Sequence, residues 1–379
     1  MFDLDGITVV SLEQAVAAPY ASGRLAQAGA RVIKIEREEG DFARQYDALV
    51  NGESAYFVWL NHGKQSLSLN LKEQPERDLL NRILAKADVF IQNLSPGAAQ
   101  RLGFGAADLQ QQFPSLINCS ISGYGEDGPY RLQKAYDLLI QAESGLCAIN
   151  GTADGPARVG VSVCDIAAGM SAHQSILQAL FARERKGPHH GIGRNIEVSL
   201  YQAMADWMNV PYLQYRYGNR DPGRHGLNHP SIAPYGAYPC SDDKMLLISI
   251  QNEREWQRLC TIALKQPELP TKPGFASNAE RMNNRAAVDK TVASAFMTRT
   301  REENIELLNE ASIAFGRLSD LDDLLQHPQN RYTTIEGQNG AIELLAPTTR
   351  TSGQPPIAGK VPAIGEHNKQ IRREFSVGP

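Results

Sequence analysis

Ile7-Thr8-Val9-Val10-Ser11, a helical stretch over 18–28, and then Arg31-Val32-Ile33-Lys34-Ile35-Glu36 make up a strand, a helix and a second strand in close succession. Both flanking runs are short and rich in β-branched apolar residues, as strands covered on two faces are. Parallel strands need a crossover of about a dozen residues, and 18–28 has the length and composition for a crossover helix. The alternation continues. Strands are expected at 88–92, 115–120 and 194–198, and helices at 75–86, 98–102 and 166–185. This order predicts an α/β fold, with a Rossmann-like large domain over 1–210. Residues 211–240 are rich in Tyr, Gly, His and Pro and read as a linker and active-site loop. A smaller α+β domain is expected over 241–325, with a strand at 244–250 and helices at 253–263, 284–297 and 301–311. Residues 326–379, with Pro347, Pro355, Pro356 and Pro362, read as mostly extended chain that needs a partner to pack against.

Composition narrows the function. The chain has 379 residues, 42% of them hydrophobic, enough for about two or three domains with substantial cores. Lys plus Arg total 38 against 42 acidic residues, a net charge of -4 that gives no general reason to expect nucleic acid or an anionic membrane as partner. No apolar run approaches the roughly 20 residues of a membrane span. The acidic opening Met1-Phe2-Asp3-Leu4-Asp5 differs from a basic secretory leader, so a cytoplasmic protein is expected. The cysteines at 119, 147, 164, 240 and 260 are scattered, without the paired spacing of a zinc or redox site. His189 and His190 lie in a turn without neighbouring acidic ligands, and Gly191-Ile192-Gly193-Arg194 precedes a strand rather than a helix. Neither a metal nor a dinucleotide is expected there.

The chemistry concentrates at Gly123-Tyr124-Gly125-Glu126-Asp127-Gly128-Pro129-Tyr130, followed by Ala135-Tyr136-Asp137 and Gln141-Ala142-Glu143-Ser144-Gly145. A glycine-rich turn and a carboxylate at the start of a helix suit a backbone cradle around a reacting group. This segment and its flanks resemble the signature of the family III CoA-transferases, the CaiB/BaiF family, over nearly the whole chain. The resemblance implies an interlocked homodimer in which 326–379 returns to the large domain. It also implies acyl-CoA and a carboxylic acid as substrates, with no tightly bound cofactor.

On this resemblance Asp137 is the catalytic nucleophile. A carboxylate is ionised at neutral pH and attacks a thioester without a general base, giving a mixed anhydride and then an enzyme-CoA thioester. Ala15, Val16, Arg37, Lys64, Asn93, Leu94, Arg101 and Tyr136 match positions that hold CoA. Gly123, Gly125, Gly226, Asn228 and His229 match the reacting-group cradle and its lid, and Ser122 stands where some members have lysine. The resemblance extends to members that use succinyl-CoA with mesaconate, itaconate or citramalate. Arg216, Arg220 and Arg224 are candidates for a distal substrate carboxylate.

Two other functions fit the same fold. An α-methylacyl-CoA racemase or epimerase needs an acid and base pair, and in those enzymes a histidine precedes the aspartate where this chain has Tyr136. Asp165, in Val163-Cys164-Asp165-Ile166, matches the racemases' other acid, but is read here as the cap of the helix that follows. A CoA-binding protein without catalysis is the remaining alternative.

Overall fold

The computed structural model describes residues 2–353 and 359–376; Pro355 and Pro356 lie outside them. The chain divides into two compact units. The first comprises Met1–Cys147, Arg158–Leu213 and Arg331–Pro379, and the second comprises Ala148–Ala157 and Gln214–Asn330.

The first unit is built on six parallel strands: β1 (Thr8–Leu12), β2 (Arg31–Glu36), β3 (Gln65–Ser68), β4 (Val89–Gln92), β5 (Ile117–Ser122) and β6 (Asn195–Ser199). They lie in the order β3-β2-β1-β4-β5-β6, with Val10 opposite both Ile33 and Phe90. The helices are α1 (Ala17–Gln27), α2 (Ala55–Asn61), α3 (Gln74–Leu84), α4 (Ala98–Arg101), α5 (Ala106–Gln112), α6 (Asp137–Glu143), α7 (Val163–Glu184) and α8 (Leu200–Trp207). Val9, Val10, Val32, Ile33, Val89, Ile91 and Ile117 are buried on the sheet, which explains why these strands read as continuous apolar runs rather than as alternations. Burial of each such side chain contributes about 1.5–3 kcal/mol. On one face, α1 and α7 meet through Ala17, Ala18, Ala21, Ala167, Ala168 and Ala172. Gly169 permits that approach, because a Cβ there would lie 2.7 Å from the Ala17 carbonyl oxygen.

The terminal segment corrects the expectation of extended chain. It holds a hairpin, Tyr332–Gly337 with Gly340–Leu345, and a helix, Asn368–Glu374. The hairpin's Ile335 and Ile342 pack with Phe57 and Val58. At the helix, Ser68 N donates to Asn368 Oδ1 at 2.8 Å, and Arg372 and Glu374 pair with Glu76 and Arg31. The hairpin turn, Gln338-Asn339, lies between Gly337 and Gly340, a two-residue connection that marks a hairpin in the sequence.

The second unit has a three-stranded antiparallel sheet in which Met245–Ser249 lies between Tyr235–Pro239 and Ala314–Arg317. Its core includes Trp256, Val288, Phe296 and Leu308. The irregular reading of 211–240 is corrected in part: Asn209–Gly218 is helical and Tyr235–Pro239 is a strand. Val210, Leu213 and Tyr217 have helical spacing, and Pro211 sits in the first turn, where a missing N–H costs nothing. Among the described residues no helix is long and apolar enough to cross a membrane.

Candidate active site

In a parallel sheet of this order, β1 and β4 leave in opposite directions, and a crevice opens at their carboxyl ends. A cavity of about 600 Å³ lies there. Gln14 to Ala17 line it after β1, Asn93 to Pro96 after β4, and Ile121, Ser122 and Gly123 at the end of β5. The first turn is clamped from two sides. Gln14 N donates to Asn93 Oδ1 at 2.9 Å and Asn93 Nδ2 returns a bond to Gln14 O at 2.8 Å. Ala15 N donates to Asp41 Oδ1 at 3.1 Å, holding a non-glycine residue at φ 63°, a conformation that needs such support.

Two aspartates line the cavity, Asp137 and Asp165, and their environments differ. Asp137 opens α6, and its carboxylate closes the N-terminus of α7. Its Oδ1 accepts from Cys164 N at 2.7 Å and Asp165 N at 3.2 Å, while Oδ2 accepts from Gln141 Nε2 at 2.7 Å. Ser162 holds the N-cap position of α7 but its side chain makes no capping bond, so the orphan amides of the first turn are satisfied from α6. Gln141 is fully buried and also takes Val159 N on its Oε1 at 2.9 Å.

Asp165 is therefore not the cap that the sequence suggested. It lies within the first turn of α7 and its carboxyl lines the cavity. Burial pushes that carboxyl up to about 7, and the charge of Asp137 adds to the rise. In the unfolded chain the group returns to the ordinary range near 4. Between about pH 4 and 7 the folded protein keeps a proton that the unfolded chain has released, so stability falls as pH rises through that window and then levels off. Asp165→Asn removes this dependence. Relative to the variant, the wild type should lose about 2–3 kcal/mol between pH 5 and 8 in urea unfolding; parallel pH profiles would exclude the raised carboxyl.

A family model described as CoA-transferase family III matches residues 4–368. The chain belongs to that family. Among its relatives, an acetyl-CoA:oxalate CoA-transferase of Acetobacter aceti is 32% identical, with 98% of this chain and 95% of that protein covered. A succinyl-CoA:glutarate CoA-transferase of Mus musculus is 31% identical, with 99% and 86% covered. A solved CaiB/BaiF family protein from Brucella suis superposes with a TM-score of 0.85 at 30% identity, covering 99% of this chain and 100% of that one.

The other expected positions of this CoA-transferase separate by place in the fold. Ala15, Val16, Asn93, Leu94, Gly123 and Tyr136 meet with Asp137 at the larger cavity. Arg37 lines a neighbouring cavity of about 340 Å³ with Ile35, Gly40, Leu71, Lys72 and Leu102; Gln14 and Leu94 line both. Arg101 is exposed and lines neither, and Gly125, at φ 101°, gives its N–H to Ser122 Oγ at 2.9 Å. Gly226, Asn228 and His229 belong to the second unit, where Gly226 N donates to Gly151 O at 2.8 Å and His229 stacks on Tyr235.

Lys64 is a correction. It is buried, and its ammonium donates to Glu13 Oε1 at 2.7 Å, Pro19 O at 3.0 Å and Asn61 Oδ1 at 3.0 Å. Those three bonds use its three donors and leave none for a CoA phosphate. Arg220 and Arg224 belong to the second unit, where Arg220 donates to Pro230 O and Arg224 to Thr152 O and Ala148 O, each with guanidinium donors to spare. Sequence reasoning missed Gln141, whose spacing of four from Asp137 on one helix was the available signal.

Proposed function

We propose that this CoA-transferase moves CoA between a dicarboxyl-CoA such as succinyl-CoA and a short dicarboxylate, and that Asp165, not Asp137, is its nucleophile. The carrying observation is the contrast between the two carboxylates. Three hydrogen bonds immobilise Asp137, while none among the described residues reaches the Asp165 carboxylate in the cavity. A desolvated carboxylate of raised basicity is the better nucleophile, and at neutral pH a large fraction is still ionised. The dicarboxylate reading is supported by relatives named for oxalate, glutarate and mesaconate.

Asp165 attacks the thioester carbonyl, the C–S bond breaks, and an aspartyl anhydride and CoA thiolate form. The thiolate attacks the aspartyl carbonyl and expels the donor acid as its carboxylate, leaving Asp165 as a CoA thioester. The acceptor carboxylate attacks that thioester and releases thiolate, which then attacks the acceptor's acyl carbon and restores Asp165. Each bond broken is matched by one formed, and no proton or nucleotide is consumed. Ala17 and Ala18 open α1, and their first-turn amides have no intrahelical acceptor; they are assigned to the developing oxyanion. The Ala15 and Asn93 turns hold the pantetheine arm, and Arg37 meets the CoA phosphates.

The protein is further proposed to work as an interlocked homodimer in the cytoplasm. Leu139, Val161, Phe181 and Trp207 of the first unit are exposed, large apolar side chains that a second subunit would cover. Light scattering should report a dimer mass.

The function is tested by incubating protein with succinyl-CoA, quenching with borohydride and mapping the peptides by mass spectrometry. Homoserine in place of Asp165 is expected. Reduction at Asp137 would return the role to that residue, and turnover with neither aspartate modified would exclude the covalent route. A parallel incubation in heavy water with a chiral α-methylacyl-CoA should show no deuterium at its α-carbon.

A further inference from the structure

We propose that Arg158 recognises the distal carboxylate of the dicarboxylate substrate, an inference that rests on the function assigned above. Among the described residues, the lining of the larger cavity contains four charged side chains: Asp137, Asp165, Lys134 and Arg158. A dianionic acid entering beside two aspartates is repelled unless a cation receives its far end. The cation must also stand at a fixed distance from the nucleophile, because the near carboxylate has to reach the same acyl carbon in every turnover.

Arg158 meets that requirement through its neighbour. Both polar groups of the Val159 backbone are bound by the buried Gln141 side chain, N–H to Oε1 at 2.9 Å and C=O from Nε2 at 3.4 Å. Gln141 in turn holds Asp137, and Asp137 holds the first turn of α7, in which Asp165 lies. One chain of hydrogen bonds therefore connects the Arg158 loop to the nucleophile's helix. The guanidinium itself uses Nη2 on Gly160 O at 3.0 Å, which orients the planar group and leaves further donors for a carboxylate fork. Lys134 lies in an exposed stretch, and its side chain makes no hydrogen bond among the described residues. A flexible point charge there steers anions toward the cavity without measuring their length.

The test compares glutarate with pentanoate, which keeps the chain length and loses the distal charge. With succinyl-CoA as donor, acceptor kcat/KM in a ping-pong scheme reports only the steps after the donor acid has left. Arg158→Gln should lower the glutarate-to-pentanoate ratio about 30- to 100-fold, and Arg158→Lys should restore part of it. Lys134→Gln should move the ratio less than about threefold. An equal loss with both acids would reduce Arg158 to a structural role, and a ratio lost in the Lys134 variant instead would transfer the assignment. Calorimetric binding of glutarate gives a readout independent of turnover. An unchanged glutarate affinity in Arg158→Gln overturns the proposal, whereas absence of transfer by the wild type, with this affinity difference intact, counts against the reaction alone.

Discussion

Asp165→Asn should lower CoA transfer by a thousandfold or more, on the order of 4 kcal/mol in the barrier, with CoA affinity changed little. The amide matches the carboxylate in shape and removes only the nucleophilic oxygen, so folding and the α7 N-terminus should survive. Asp137→Asn is the informative counterpart. Its remaining carbonyl oxygen can still accept from Cys164 N and Asp165 N, but the new amide faces the Gln141 amide donor that Asp137 Oδ2 now receives at 2.7 Å. Relief requires Gln141 to flip, which sacrifices its bond from Val159 N. The expected result is an active enzyme slowed about tenfold with a lowered unfolding temperature, because a positioning group rather than a reacting one is disturbed. Stopped-time assays of both variants decide the matter: a silent Asp137→Asn beside an active Asp165→Asn would reverse the assignment.

Glu13→Ala should destabilise the protein by about 3–5 kcal/mol, a large share of the about 5–15 kcal/mol of a typical domain. Glu13 Oε1 receives Lys64 at 2.7 Å and Lys34 at 3.3 Å, while Oε2 receives Ser22 at 2.6 Å and also Ser11. All three ionic side chains are completely buried. Burial alone would raise the Glu13 carboxyl; the charges of Lys64 and Lys34, with hydrogen bonds from Lys64 and Ser11, outweigh it and bring it down to about 2. Burial lowers Lys64 to about 8 against the pull of Glu13. For Lys34 the combined attraction of Glu13, Asp41 and Glu36 outweighs burial and raises it.

Removing Glu13 leaves two buried ammonium groups with too few counter-charges, which is costlier than losing the pair altogether. Glu13→Gln with Lys64→Met should therefore recover part of the loss, and a double-mutant cycle in urea measures the coupling. Additive effects would show that the cluster is not a unit. The sign with pH follows from the depressed carboxyl: its stabilisation is present above about 4.5 and is lost as pH falls toward 2, opposite in direction to the contribution of Asp165. The damage should also reach the active site. Lys34 holds Asp41 at 2.9 Å, and Asp41 holds Ala15 N at the mouth of the larger cavity.

Much of this was legible in the chain. Strands such as 31–36 and helices such as 75–86 and 166–185 follow from composition and periodicity, because a doubly covered strand and an amphipathic helix impose patterns on neighbouring residues. The family follows from the spacing of Tyr136-Asp137 and its flanks. A ligand at the carboxyl ends of a parallel sheet follows from the alternation of strands and helices; the strand order that puts the crevice between β1 and β4 does not. What only the tertiary structure decided concerns side chains far apart in sequence. Asp137 and Asp165 both read as residues at helix starts, and either could act or cap. Their roles separate only when α6 is laid against α7, where a carboxylate from one helix closes the other and its partner is left desolvated. Lys64 looked like a phosphate ligand because a lysine in sequence is a charge without an address; the fold places it beside Glu13, 51 residues away. A buried charge takes whatever counter-charge packing supplies, and packing is not written in local pattern.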